Sequence, residues 1–152
     1  MKIRKATVKD AKSIYDLIKR FARKYDMLPR SLNEIYENIR DFFVCIDNDA
    51  IVAAAALHIL WEDLSEVRSV AVSKDYQGIG VGKKLVKRCI GEAEKMGVSK
   101  VFALTYAPEF FKEMDFTEID KNTLPQKIWG ECLKCHKFPE CDESAVMLSI
   151  HN

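Results

Sequence analysis

The apolar positions change period several times along the chain, and each change marks an element. Ala11, Ile14, Leu17, Ile18 and Phe21 recur at helical spacing and predict a helix to about Lys24. Thr7 precedes it as an N-cap with Asp10 three residues on. Before that, Lys2 to Ala6 reads as a short strand. The stretch Tyr25-Asp26-Met27-Leu28-Pro29-Arg30 breaks the helix, and a second capping box, Ser31-Leu32-Asn33-Glu34, starts a shorter one through Ile35 and Ile39. Phe42 to Ile46 predicts a strand, Asp47-Asn48-Asp49 a turn, and Ile51 to Leu60 the strand returning from it. The four alanines Ala53 to Ala56 are poor strand formers, and their small side chains predict a helix packed close against them.

After a turn at Trp61-Glu62-Asp63, a strand from Leu64 carries the β-branched run Val67-Arg68-Ser69-Val70-Ala71-Val72. From Val81 the apolar positions Leu85, Val86, Cys89, Ile90, Ala93 and Met96 return to helical spacing, and Gly97 stands as the residue that ends the helix. Lys100 to Thr105 is the next strand. Pro108 suits the first turn of a short helix, Glu109 to Met114, and Phe116 to Ile119 returns as a strand. From Asp120 the chain changes character, with Pro125, Trp129, three cysteines and Pro139, before a last strand from Ala145 to Ile150. This tail, residues 120–152, is too short for a domain and is expected to pack on the single domain formed by 1–152.

Length and charge narrow the class. The 152 residues suffice for one well-buried domain and are short for two. A net charge of +1 gives no electrostatic case for nucleic acid or an anionic membrane. No apolar run approaches spanning length, and Lys9, Asp10 and Lys12 interrupt any signal-peptide core after the basic start. A cytoplasmic protein is the expectation.

The most informative stretch is Gln77-Gly78-Ile79-Gly80-Val81-Gly82, placed where a strand turns into a helix. That placement exposes backbone N–H groups at a helix N-terminus, where a phosphate is readily held. A Walker loop fails, because Gly82-Lys83 is followed by Lys84 rather than Ser or Thr. A dinucleotide fingerprint fails, because Lys83 stands where its third glycine belongs. Gln-x-x-Gly-x-Gly is filled by Gln77, Gly80 and Gly82, and it resembles the acetyl-CoA pyrophosphate loop of the GNAT acetyltransferase superfamily. A glycine-rich turn without a ligand is the plain alternative. The resemblance implies an α/β (α+β) fold, a mixed central sheet of about six to seven strands flanked by about four helices. The element order already read, β-α-α-β-β-β-α-β-α-β, is the GNAT order. It implies acetyl-CoA as co-substrate, bound through Gln77, Gly78, Ile79, Gly80, Val81, Gly82 and Lys83 and the main chain of Val70, Ala71 and Val72.

Acetyl transfer from a thioester to an amine needs an anchored cofactor, a neutral amine, a stabilised oxyanion and a tolerated thiolate. In GNAT enzymes strand N–H groups before the loop meet the oxyanion, which maps to Val70, Ala71 and Val72. Glu66, at the start of the central strand, is the best-placed general base; the plain alternative is a carboxylate facing solvent. Glu62 and Asp63 are weaker candidates. Superfamily members often carry a tyrosine acid in a run like Tyr-Glu-Lys-Leu-Gly-Phe. Here the run is Phe111-Lys112-Glu113-Met114-Asp115-Phe116, and phenylalanine cannot donate a proton, so that role does not carry over. Tyr106 could substitute, or be an interior aromatic with its hydroxyl at the rim.

The acceptor is suggested by a closer resemblance. Leu28-Pro29-Arg30-Ser31-Leu32, Arg40-Asp41-Phe42-Phe43-Val44, Glu66 to Val72, Leu104-Thr105-Tyr106 and Leu124-Pro125 with Lys127 resemble bacterial N-acetylglutamate synthases, especially the short form without an amino-acid-kinase domain. Glutamate brings two carboxylates, which arginine forks suit. Arg30 matches the family's substrate-side arginine, with Ser31 beside it; Arg68 and Lys127 are the other cations expected there. A surface arginine beside a helix cap is the alternative for Arg30. Another small amine or a protein amine is the alternative acceptor, although no acidic run suggests a protein substrate. A homodimer is an analogy from the superfamily alone.

Of the five cysteines, Cys132, Cys135 and Cys141 cluster, with His136 after Cys135. Three thiolates and an imidazole could fill a tetrahedral zinc site, but adjacent Cys135 and His136 are awkward ligands for one ion. Reduced thiols, structural or redox-sensitive, rank ahead of zinc, and a disulfide comes third. Cys-x-x-Cys-His also matches c-type haem attachment, for which this chain gives no context. A metal- or redox-sensing module built on the tail is the rival from another functional class.

Overall fold

The computed structural model describes residues 1–25, 29–124 and 143–150. Seven strands, β1 (Lys2–Lys5), β2 (Phe42–Asp47), β3 (Ala50–Trp61), β4 (Leu64–Val72), β5 (Lys100–Thr105), β6 (Thr117–Ile119) and β7 (Ser144–Ser149), pair in the order β1-β2-β3-β4-β5-β7-β6. The helices are α1 (Ala11–Tyr25), α2 (Leu32–Glu37), α3 (Val81–Lys95) and α4 (Pro108–Lys112). β4 and β5 run parallel, and the other pairings with a defined register are antiparallel, so the sheet is mixed. A parallel neighbour requires a crossover, and α3 supplies it. The expected element order and mixed α/β class hold. Contacts divide the chain into two units: Met1–His58 with Val67–Glu92, and Ile59–Glu66 with the residues from Ala93 onward.

In the first unit, α1 lays Ala11, Ile14, Leu17 and Ile18 into one cluster with Ile35, Phe42, Val44, Ala54, Ala56 and Ala71. The period of two along a strand explains the membership, since Phe42 and Val44 share a face, as do Ala54 and Ala56. Ala53 to Ala56 are all at most 2% exposed, so the expected close helix is found on the Ala54 and Ala56 face. On the other face, the Arg88 guanidinium of α3 lies 5.6 Å from the centre of the Phe43 ring. β2 meets β3 through Asn48 and Asp49, both at positive φ (51° and 62°). Such a two-residue turn matches the strand twist, and Asn and Asp tolerate it better than most residues.

The cap expected at Thr7, with Asp10 three residues on, forms on a short turn that leads into α1. A 3-10 turn, Val8–Asp10, precedes it, and Asp10 accepts from the Thr7 N–H at 2.7 Å. Arg4 closes on the same carboxylate with two bonds, 2.7 and 3.0 Å. The second capping box forms as read: Ser31 Oγ accepts from the Glu34 N–H at 3.1 Å.

In the second unit, β4 enters beside β5 with Leu64 opposite Lys100 and Glu66 opposite Phe102. β7 pairs antiparallel with both β5 and β6, and Leu64, Phe102, Leu124 and Ala145 form its core cluster. Gly97, at φ 81°, ends α3: its N–H reaches the Glu94 carbonyl and the Val98 N–H reaches Ala93. That is the double bond of a Schellman cap. α4 stops at Lys112, two residues before the expected Met114, because the Met114 and Phe116 N–H groups both turn back to the Phe111 carbonyl. Asp115 takes φ 71° there. Phe111 is buried and meets Phe110 and Phe116 edge-on at 5.1 and 5.2 Å, so this phenylalanine serves packing.

Candidate active site

The glycine loop begins where β4 ends. Ser73 N–H bonds back to the Val52 carbonyl, and a 3-10 turn, Lys74–Tyr76, follows. Tyr76 donates to Asp47 at 2.7 Å, which pushes its phenol pKa up and fixes the turn to the end of β2. Gln77 Nε2 donates to the Val72 carbonyl at 2.9 Å, tying the loop to the strand it leaves. Gly78 and Gly80 take φ 80° and 88°, where a Cβ is strained. A Cβ built on either would meet nothing within 4 Å. Conformation therefore demands these glycines, and the space over them is open to a ligand. Gly80 also accepts from the Lys84 N–H, so α3 starts at this point and directs the N–H groups of its first turn outward. Val81 is buried, Gly82 and Lys83 lie in that first turn half-buried, and Ile79 is exposed. The arrangement fits a pyrophosphate: two glycines open to solvent at the positive end of a 15-residue helix.

β4 contributes a second feature, absent from the sequence reading. Ser69 sits at φ 57° in the middle of the strand. In a regular strand Arg68 and Ser69 would point to opposite faces. Here both line one hollow, as expected where a local distortion re-aims side chains. The hollow, open to solvent and with a cavity volume of about 20 Å³, is also lined by Arg30, Glu34, Asn38 and Asp41. Two expected substrate cations, Arg30 and Arg68, thus come together from segments far apart in sequence. The Arg30 side chain is 11% exposed, with Nη1 3.7 Å from Glu34 Oε2. Ser31 stays at the N-cap of α2, its hydroxyl accepting from Glu34, and does not line the hollow.

Glu66 is buried, which removes the alternative that it simply faces solvent. Tyr106 follows β5 and is 44% exposed. Ala71 is fully buried, while Val70 and Val72 are half-buried. Lys127, Cys132, Cys135, His136 and Cys141 lie outside the described residues. Among the described residues, no group of three metal-ligating side chains comes together, and Cys45 and Cys89 are buried free thiols. No described helix is long and apolar enough to cross a membrane.

Sequence reasoning missed Asn38, the role of Asp41 in the hollow, and its partner His58, whose Nδ1 lies 2.7 Å from Asp41 Oδ2. Asp41 had attracted notice only as part of a resemblance, and a pairing between residues 17 apart has no local signature.

Comparison with known proteins agrees with this geometry. Residues 11–116 match the model of the acetyltransferase (GNAT) family. An uncharacterized N-acetyltransferase of Chlorobaculum tepidum is 36% identical over 97% of this chain and 96% of its own. The amino-acid acetyltransferase of Mycobacterium tuberculosis is 33% identical over 88% of this chain and 78% of its own. N-acetylglutamate synthase of Neisseria gonorrhoeae, solved with coenzyme A and N-acetyl-glutamate, superposes with a TM-score of 0.88 at 25% identity. That match covers 99% of this chain and 35% of the larger protein, so this chain spans about a third of it. A Mycobacterium tuberculosis structure in complex with CoA and NLQ matches over 99% and 100% of the two chains, with a TM-score of 0.84 and 28% identity. With its strand–glycine loop–helix joint, its mixed seven-stranded sheet and these relatives, the chain belongs to the GNAT acetyltransferase family and is an acyltransferase.

Proposed function

We propose that this enzyme transfers the acetyl group of acetyl-CoA to the α-amine of L-glutamate, the N-acetylglutamate synthase reaction and first step towards arginine, in a single cytoplasmic domain. One observation carries the choice of acceptor: Arg30 and Arg68 line the same small hollow. Two guanidiniums there match the two carboxylates of glutamate, and a planar fork binds a carboxylate bidentately. The relatives named for amino-acid acetylation support the same class of acceptor.

In this reading the loop from Gln77 to Lys83 anchors the pyrophosphate of acetyl-CoA. The bound ammonium first gives one proton to solvent; the neutral amine then attacks the thioester carbonyl carbon, and the negative charge on its oxygen is met by main-chain N–H groups of Val70, Ala71 and Val72. The nitrogen then loses a proton to Glu66, directly or through a water. The C–S bond breaks, and the CoA thiolate leaves, taking a proton from Tyr106 or from solvent. Lys127 would add a third cation on the substrate side.

The test is CoA release with the full chain over a panel of amino acids and simple amines. Glutamate should give the highest kcat/KM, with aspartate and glutamine lower. Preference for an uncharged or cationic amine would overturn glutamate as acceptor and leave the acetyltransferase chemistry standing.

A further inference from the structure

A hollow with two guanidiniums presents a difficulty to an amino acid. At neutral pH the acceptor arrives as an ammonium, and the cations that attract its carboxylates repel that end. Two acids line the hollow as well, and they are not equivalent. Glu34 is committed at the start of α2: Oε1 accepts from the Ser31 N–H at 3.4 Å, and Oε2 lies 3.7 Å from Arg30. Asp41 is bonded at one oxygen only among the described residues, with Oδ2 2.7 Å from His58 Nδ1. A carboxylate only accepts, so Nδ1 carries the hydrogen and the imidazole fixes the carboxylate's orientation. Both side chains are about three-quarters buried, at 24% and 29% exposure, so the pair is shielded without being closed to a ligand. Ser69 belongs to the same lining.

From this arrangement we propose that Asp41, held by His58, receives the α-ammonium of the incoming amino acid and makes the hollow selective for an amino-dicarboxylate over a plain dicarboxylate. The inference rests on the glutamate reading above and adds the residue that recognises the third charged group. Asp41 acts in recognition. The ammonium proton leaves to solvent later, before attack, and Glu66 takes the second after attack, so kcat depends on Asp41 far less than KM does. His58 is a positioning residue: it touches Asp41 and sets the direction of its oxygens.

The experiment compares glutamate as substrate with glutarate, the same dicarboxylate without an amine, as competitive inhibitor. In Asp41→Asn, KM for glutamate should rise at least about 10-fold, the scale of a hydrogen bond to a charged group, while kcat stays within about 3-fold. The inhibition constant of glutarate should stay within about 2-fold of wild type, which also reports that the hollow is folded. His58→Ala should show the same signature at smaller size. Equal losses for glutamate and glutarate would mean that Asp41 only holds the hollow together, and a collapse of kcat at unchanged KM would make it a proton acceptor. Either result, or an unaltered variant, overturns the inference alone. A wild-type enzyme that ignores glutamate overturns it together with the acceptor on which it rests.

Discussion

At the scale of single residues, side chains distant in sequence define the chemistry. Arg30 is nearly buried beside the hollow, and removing one member of a desolvated charge pair costs about 2–5 kcal/mol. Arg30→Ala should therefore lower kcat/KM for glutamate by about 30-fold or more, while calorimetry shows acetyl-CoA affinity little changed. Arg30→Lys should recover only part, because an ammonium lacks the fork. A second residue governs stability. The two bonds from Arg4, opposed by burial and helped by the Thr7 N–H, hold the Asp10 carboxyl below its ordinary value of 3.8. A depressed carboxylate contributes stability that is complete above the unfolded value and lost as pH falls through the folded one. Asp10→Asn should cost about 1–3 kcal/mol in urea unfolding at pH 7. The gap between variant and wild type should close as pH drops below about 4. A gap of constant size down to pH 2 would show that the ion pair is not its source.

At the scale of elements, the joint between β4 and α3 is the most constrained. Gly80→Asp places a Cβ at φ 88° and a negative charge where phosphates would lie. Binding of acetyl-CoA should fall beyond detection by calorimetry while far-ultraviolet dichroism stays native. Gly80→Ala separates the two effects. Nothing within 4 Å opposes its methyl group, so only backbone strain of about 1 kcal/mol remains. The alanine variant should bind acetyl-CoA more weakly than wild type and far better than the aspartate variant. On α1, Ile14 is wholly buried in the first unit's cluster, and Ile14→Ala should cost about 2–5 kcal/mol.

At the scale of the whole molecule, burial controls reactivity. Burial pushes the Cys89 thiol up to about 12 and raises that of Cys45 as well. Thiolates are the reactive form, so both should resist alkylation at pH 7.5 in the native protein. Peptide mass spectrometry should find them modified only as fast as the fold opens, and saturating acetyl-CoA should slow that labelling by linkage. Rapid labelling of either thiol in the native enzyme would contradict the packing around it.

The sequence by itself determined the elements and their order, because periodicity, caps and turn residues act over a few positions. The capping box at Ser31, the Asn48-Asp49 turn, Gly97 after α3 and the Gln77 to Gly82 loop are all local chemistry. It also identified Arg30, Arg68 and Glu66 as candidates, through a resemblance rather than through any local rule. Tertiary structure alone decided which of them meet. No sequence rule places a left-handed serine inside a strand, yet Ser69 adopts that conformation where Arg68 and Ser69 both line the hollow. The Asp41–His58 contact joins residues brought close only when β2 and β3 pair. Such contacts depend on chain segments that meet after folding, and a reading by neighbours in sequence cannot contain them.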